Sequence, residues 1–431
     1  MMALLPDYSG PFNPDLTLSD FSRSFLCRLG REYMLLGILV GRTAHPPGAA
    51  KDSYARLGIE SYMAASPIYS KRMQRLMNFE DNDVGTVFKN MQLDIGATHQ
   101  YMDFNFRLDS PKYGEFWVHC GSLLEAELGG PQRVKTMCHD IEDPTFDATA
   151  AATNPCMMMR AIHRPPRNAD GNGEGRYPHC RWKVFIGDDA KPFEQHPNLA
   201  IVQKSKIAAI PLVMPREDRE PGGWQDYSGP FDPHAQLEDY SHGALVKLCQ
   251  EFGAQIQLLV RGYLLSEMNH GGKENAAAMS RSMWIGHACM GAHRLQHFLG
   301  IEGDDIQTIA KIVQLHPDFQ PRTYLDLRVE VTGDKRARIS VNDCPALNEG
   351  DSLNWFSQMA HEPHPALDAL VRMINPRASC HPVGYPGGAR YAWDVVIDPS
   401  AEPHAPPAEF EAVKGGRSLA FQFEQRRQLR G

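Results

Sequence analysis

The chain has 431 residues, 42% apolar and 22% charged, which supplies ample material for a buried core. Its formal charge of −8 excludes the broad basic face that a nucleic-acid partner demands. The opening MMALLPDYSG lacks the basic and apolar regions of a secretion signal, and the longest apolar stretch, YMLLGILVG at 33–41, falls well short of the about 20 residues a membrane helix needs. The nine cysteines are scattered without a CxxC pair, so reduced thiols, a cytoplasmic location and no membrane partner are expected.

Residues 7–22, DYSGPFNPDLTLSDFS, return at 226–241 as DYSGPFDPHAQLEDYS. Further anchors follow in the same order. FEDNDVGTVFKNMQL (79–93) lies over IEGDDIQTIAKIVQL (301–315), QYMDFNFRL (100–108) over TYLDLRVEV (323–331), and WVHCGSL (117–123) over VNDCPAL (341–347). MCHDIED (137–143) falls on MAHEPHP (359–365), Asn154-Pro155 on Asn375-Pro376, and PHCRWKVFI (178–186) on ARYAWDVVI (389–397). Such ordered recurrence predicts a tandem duplication.

Each copy opens on the proline- and glycine-rich DYSGPF turn, with Tyr8 or Tyr227 packed inward. An amphipathic helix is expected through FSRSFLCRLGREYMLLGILVGR, and a second ending in RMQRLM. Two alternating runs, YMDFNFRL and GEFWVHC, read as a hairpin. A helix near 132–152 stops at Asn154-Pro155, and two strands around MMMRAIH and CRWKVFI complete the unit. The second copy repeats this order, with its later helix near 353–374. The expected fold is α+β: two tandem ααββαββ modules, each an antiparallel sheet with helices on one face. The boundaries are a first module at 1–202, a linker at 203–225, a second module at 226–398 and an extended tail at 399–431. The stretch 165–177, PPRNADGNGEGRY, reads as a polar loop.

Comparison of the copies locates the chemistry. Cys120 and Cys344, His139 and His361, and Trp182 and Trp393 are kept in both. Only the first copy adds His119, Cys138, Glu142, His163 and the pair His179-Cys180, which gives it a His/Cys-rich portion with an acidic turn. His139 and Glu142, at i and i+3, would share a helix face. With His119, His163 or His179 arriving from strands, they could ligate a divalent metal such as Zn, Fe or Mn and leave a position for water. Without metal, Cys120, His139 and Glu142 could act as nucleophile and acid–base groups. Arg164 and Arg167 in HRPPR could hold a substrate carboxylate, with Met157, Met158, Met159 and Trp182 as an apolar wall. The structural alternatives stay open. Cys120 reads equally as a small core residue, His139 as a cap or core hydrogen-bonder, and the acidic turn as a complement to the helix dipole. His293 and His297 lie one turn apart, and His361 and His364 share a face, as a degenerate second site would.

HRLQHFLGIEGDDIQTIAKIVQL, the strand pair ending in NDCPAL, and INPRASCHPV followed by YAWDVVI resemble the L-2-amino-thiazoline-4-carboxylic acid hydrolase-like family. The resemblance covers roughly 235–398 and, through the repeat, 15–187. It implies hydrolytic opening of a small sulfur–nitrogen heterocycle. The fused double unit departs from that single-module family, and HRPPR stands in place of its cysteine-rich Pro-Pro-Asp segment.

The leading expectation is therefore a hydrolase or lyase acting on a small organic molecule in the first module, with a pairing of modules or a homodimer. The competing expectation is a non-catalytic small-molecule or metal-binding protein. Phosphate-cradling glycine loops, GxSxG and HExxH patterns are missing from the sequence, so no nucleotide cofactor is expected.

Overall fold

The computed structural model describes residues 4–44, 51–167, 178–187, 190–213, 218–384, 386–424 and 428–430. Most of the predicted polar loop, residues 168–177, lies outside the described residues.

Helix α1 (Arg23–Thr43) begins where the Ser22 side chain accepts the Phe25 amide hydrogen. Next come α2 (Lys51–Leu76) and α3 (Val84–Gln92), the latter capped by Asp83 on the Thr86 amide. Strands β1 (Met102–Ser110) and β2 (Tyr113–Cys120) form the expected hairpin. The helical region after it comes in pieces: α4 (Gly121–Leu128), α5 (Pro131–Lys135), a π-helical turn (Thr136–Ile141) and α6 (Glu142–Ala151). Strands β3 (Met157–His163) and β4 (Cys180–Ile186) follow, then the short helices α7 (Pro197–Val202) and α8 (Lys206–Ala209).

The second half runs through α9 (His242–Phe298), α10 (Ile306–Leu315), β5 (Leu327–Gly333), β6 (Arg336–Val341), α11 (Pro365–Ile374), β7 (Ala378–Pro382), β8 (Tyr391–Ile397) and α12 (Ala408–Val413). Helix α9 breaks at Gly272, whose φ of 80° only glycine adopts readily. Ser241 and Asp305 cap α9 and α10 as Ser22 and Asp83 do in the first half. Asn154 and Asn375 each donate a side-chain hydrogen bond to the loop before α3 or α10, at 3.0 and 2.8 Å. The Asn-Pro stops therefore serve as tethers as well as helix ends.

The fold is α+β with two four-stranded antiparallel sheets, ordered β1-β2-β4-β3 and β5-β6-β8-β7. One face of the first sheet, with Phe116, Val118, Met159, Trp182 and Val184, is buried under α3 and α6. Its other face carries Arg107, Glu115 and Arg181, with Glu115 paired to both arginines. The second sheet buries Ile339, Val341, Trp393 and Val395 under α10 and α11. A third helix, α3 or α10, thus precedes each hairpin, where two were expected. Its segment was visible as a matching anchor, but at about ten residues its amphipathic pattern is short.

The helices of the two halves interlock, since α1 and α2 both pack along α9. The DYSGPF turns are exchanged across this seam. Tyr8 donates to Gln314 of α10 at 2.5 Å, and Lys311 donates to the Tyr8 carbonyl at 2.9 Å. In return Tyr227 donates to Gln92 of α3 at 2.9 Å, and Lys89 donates to the Tyr227 carbonyl at 2.9 Å. Asp7 and Asp226 each close their own turn by accepting from the serine two residues on, and Asp226 also accepts from Asn78 at 3.4 Å. Such reciprocity is the mark of an isologous, two-fold contact.

Candidate active site

A cavity of about 490 Å³ lies in the first half, between α1, α2 and α6 and the start of β1. Its walls are mostly apolar and aromatic, and they hold a few polar side chains. Asp94 follows α3, Glu142 opens α6, and Tyr62 and Tyr69 project from α2. The second half contributes Tyr263 from α9 and Gly415-Gly416 from the chain's end.

Three carboxyl groups line this space, those of Asp94, Glu125 and Glu142, and burial raises Glu142 and Asp94. Glu142 is pushed up to about 8, with Arg164 offsetting part of the effect. Its Oε2 is buried and has no hydrogen-bond partner among the described residues. Asp94 is raised to about 6, held back by the Gly96 amide at 2.7 Å and by the Tyr69 hydroxyl. At neutral pH Glu142 is therefore largely protonated and Asp94 largely ionised. The Arg133 guanidinium stacks 3.2 Å from the centre of the Tyr54 ring on the same wall. Arg42 is neutralised by Glu125 at 2.9 Å, and Glu125 also accepts from Tyr101 at 3.0 Å.

Of the residues singled out in the sequence, Glu142, Cys120 and, from the expected apolar wall, Met159 line the cavity. Cys120 caps α4 through its sulfur, and burial with the neighbouring Glu142 pushes its thiol up to about 12. It stands there as a thiol, not a thiolate nucleophile. The wide π-turn before Glu142 changes the i, i+3 relation expected of an α-helix. Glu142 faces the cavity, while the His139 Nε2 donates to the Pro165 carbonyl at 2.7 Å. His163 Nε2 likewise donates to the Pro178 carbonyl at 3.0 Å.

His179 is buried, and its Nδ1 accepts the Cys120 amide hydrogen at 2.9 Å, tying the start of β4 to the end of β2. Its ring sits 4.1 Å from that of His119, and burial and His119 lower its pKa to about 4. Among the described residues no three His, Cys, Asp or Glu side chains group so as to hold a metal ion. The expected set of His119, His139, Glu142, His163 and His179 is thus not assembled as a chelating cluster.

The expected substrate residues stand outside the cavity wall. Arg164 pairs with Asp143 at 2.5 Å, and Arg167 grips Glu127 through bonds of 2.8 and 2.6 Å. Trp182 stacks on Phe116 at 6.2 Å and meets the edge of Phe146, a wall residue, so it lies one layer behind.

At the positions 222 residues further on, the second half carries Trp284 for Tyr62, His316 for Asp94 and His364 for Glu142. Trp284 stacks on Trp355 at 5.9 Å and packs against His364 at 4.5 Å, and all three are buried. Gly291 replaces Tyr69, and the His316 ring takes the space. Asp94, Tyr62 and Tyr69 belong to no histidine- or cysteine-bearing motif, and their signal in the sequence is a difference between the copies: Asp94 lies over His316 and Tyr69 over Gly291.

No protein-family model, curated protein or solved structure matches this chain. Among the described residues no helix is long and apolar enough to cross a membrane.

Proposed function

We propose that the chain is a small-molecule enzyme, a hydrolase or lyase, that works by proton transfer in the cavity of its first half. The observation that carries this reading is the pair of carboxyl groups facing one largely apolar cavity, with Glu142 raised to about 8 and Asp94 to about 6. Environments that push two titratable groups apart divide the roles of acid and base between them. Asp94 takes a proton from water or from substrate carbon, and Glu142 gives one to the departing atom. In hydrolysis the activated water adds to the electrophilic carbon. In elimination the carbon–hydrogen electrons form the new double bond. Tyr69 steadies the Asp94 carboxylate, and the apolar wall keeps both groups desolvated.

The same reading makes the chain a tandem duplicate whose second half has lost its cavity to Trp284, Trp355 and His364 and serves as the partner of the first. The paired caps, paired tethers and exchanged turns support it. Free cysteines throughout the described residues accord with a reducing, cytoplasmic setting.

The test is turnover of a panel of small cyclic amidines, amides and thioethers, followed by mass spectrometry. Asp94→Asn and Glu142→Gln should each lower kcat about 10²–10⁴-fold with the fold intact. Full turnover in both variants would refute the assignment. Tight binding of a panel member with no product from the parent chain would favour a non-catalytic binding protein instead.

A further inference from the structure

The geometry points to residues 414–421 as a wall of the first half's cavity that is supplied from the far end of the chain: a positioning segment that seals the space around Glu142 and Asp94. Gly415 and Gly416 line the cavity directly. Just beyond them the Ser418 amide donates to Glu125 Oε1 at 2.6 Å, and Arg42 donates to the Ser418 hydroxyl at 3.0 Å. Arg42 and Glu125 themselves line the cavity, so the strap and the polar wall share atoms. On its other side the segment is held by Arg294 of α9, which donates to the carbonyls of Ser418, Leu419 and Phe421 at 2.8, 2.9 and 2.8 Å. Ser418 is fully buried. A methyl group on Gly416 would sit 2.0 Å from the Arg42 guanidinium, so a side chain there would push Arg42 off its Glu125 and Ser418 partners.

A second observation shows that this placement is built. Residues 205–210, between the halves, do the same for the second half. Glu349 accepts from the Lys206 and Ile207 amides at 2.8 and 3.0 Å and from the Tyr324 hydroxyl at 2.8 Å. Arg72 donates to the carbonyls of Ala208 and Ile210 at 3.2 and 2.8 Å. Each half thus closes the other with the segment that follows its own sheet. In the second half the strap covers a packed interior, and in the first it covers the cavity. The effect on turnover rests on reading Asp94 and Glu142 as the working pair, whereas the wall itself does not.

The test therefore needs no substrate. Cys120 lines the cavity, and Cys249 and Cys289 are buried in α9 away from it. Ser418→Pro removes the amide hydrogen and hydroxyl that hold the strap. In the full-length variant N-ethylmaleimide should alkylate Cys120 about tenfold faster or more than in the parent, read by peptide mass spectrometry, while Cys249 and Cys289 stay unmodified. An unchanged Cys120 rate in a variant whose end has become protease-sensitive overturns the proposal. If Ser418→Pro also opens the two core cysteines, Gly416→Ala decides by the same two readings. Loss of activity in Asp94→Asn or Glu142→Gln bears on the proton-transfer reading alone.

Discussion

Arg72 grips Glu251 through two parallel hydrogen bonds of 2.7 and 2.9 Å, and the pair joins the first half of the chain to the second. Glu32 and Arg294 form the same grip in the opposite sense, at 2.5 and 3.0 Å. All four side chains are buried, and burial raises the pKa of both glutamates against the pull of their arginines. Removing one partner strands a charge in the core, which costs about 3–5 kcal/mol, whereas removing both can cost far less. Urea unfolding of Arg72→Met, Glu251→Met and the double variant should therefore show strong coupling. Single variants within about 0.5 kcal/mol of the parent would mean that the pair does not hold the halves together.

Gly291 makes a sharper prediction about the second half. A β-carbon there would lie 2.0 Å from His316 Nε2. The His316 ring cannot easily yield, because Nε2 donates to the Ala288 carbonyl at 3.1 Å and Nδ1 accepts the Asp318 amide hydrogen at 3.2 Å. Gly291→Ala should destabilise the chain by about 1–3 kcal/mol, although glycine to alanine within a helix usually stabilises. Gly286, five residues earlier, meets nothing nearer than a Thr43 methyl at 3.3 Å and the Glu409 carbonyl at 3.6 Å, so Gly286→Ala should be near neutral. Equal melting temperatures for the two variants would contradict the tight fit.

What was legible in the chain follows from range. Asn-Pro after helices and the alternating Phe104, Phe106 and Val118 are local signals, and they mark real stops and strands. The cavity is not local. Tyr62 and Tyr69, spaced seven apart on α2, read as an ordinary core stripe, and Asp94 reads as the cap of a short turn, which it also is. Only folding brings them to Tyr263 and Gly415. The histidines misled for a related reason. Residue type suggested ligands, but the π-turn and the nearby backbone carbonyls claim His139 and His163. The connecting and terminal segments looked like poor core material, and their role appears only in the polar contacts they make with the opposite half.

His364 predicts acid sensitivity. Burial, with a smaller effect from Arg281, lowers its pKa from 6.5 to about 4. Between these values the unfolded chain takes the proton first, so stability falls as pH drops through the window. The loss amounts to about 2–3 kcal/mol. His364→Gln should flatten that part of the stability–pH curve while leaving the neutral region little changed. A curve parallel to the parent's from pH 6.5 to 4 would show that His364 is not the group responsible.

Glu142 predicts the opposite dependence, because its folded form prefers the proton. Its pKa rises from 4.5 to about 8 through burial, so across that range the folded chain keeps a proton that the unfolded chain has lost. Stability therefore falls as pH rises through the window, and the cost is complete only above about 8. Allowing for access through the cavity, the effect is about 2–4 kcal/mol. Glutamine imitates the protonated acid, so Glu142→Gln should melt close to the parent at pH 5 and several degrees above it at pH 9. The same substitution removes the proton that the proposed mechanism delivers, so the variant should gain stability at high pH while losing turnover. A single residue that trades stability for activity in this way is difficult to explain as core packing. Parallel melting curves for parent and variant from pH 5 to 9 would place Glu142 in ordinary solvent contact and remove the acid from the site.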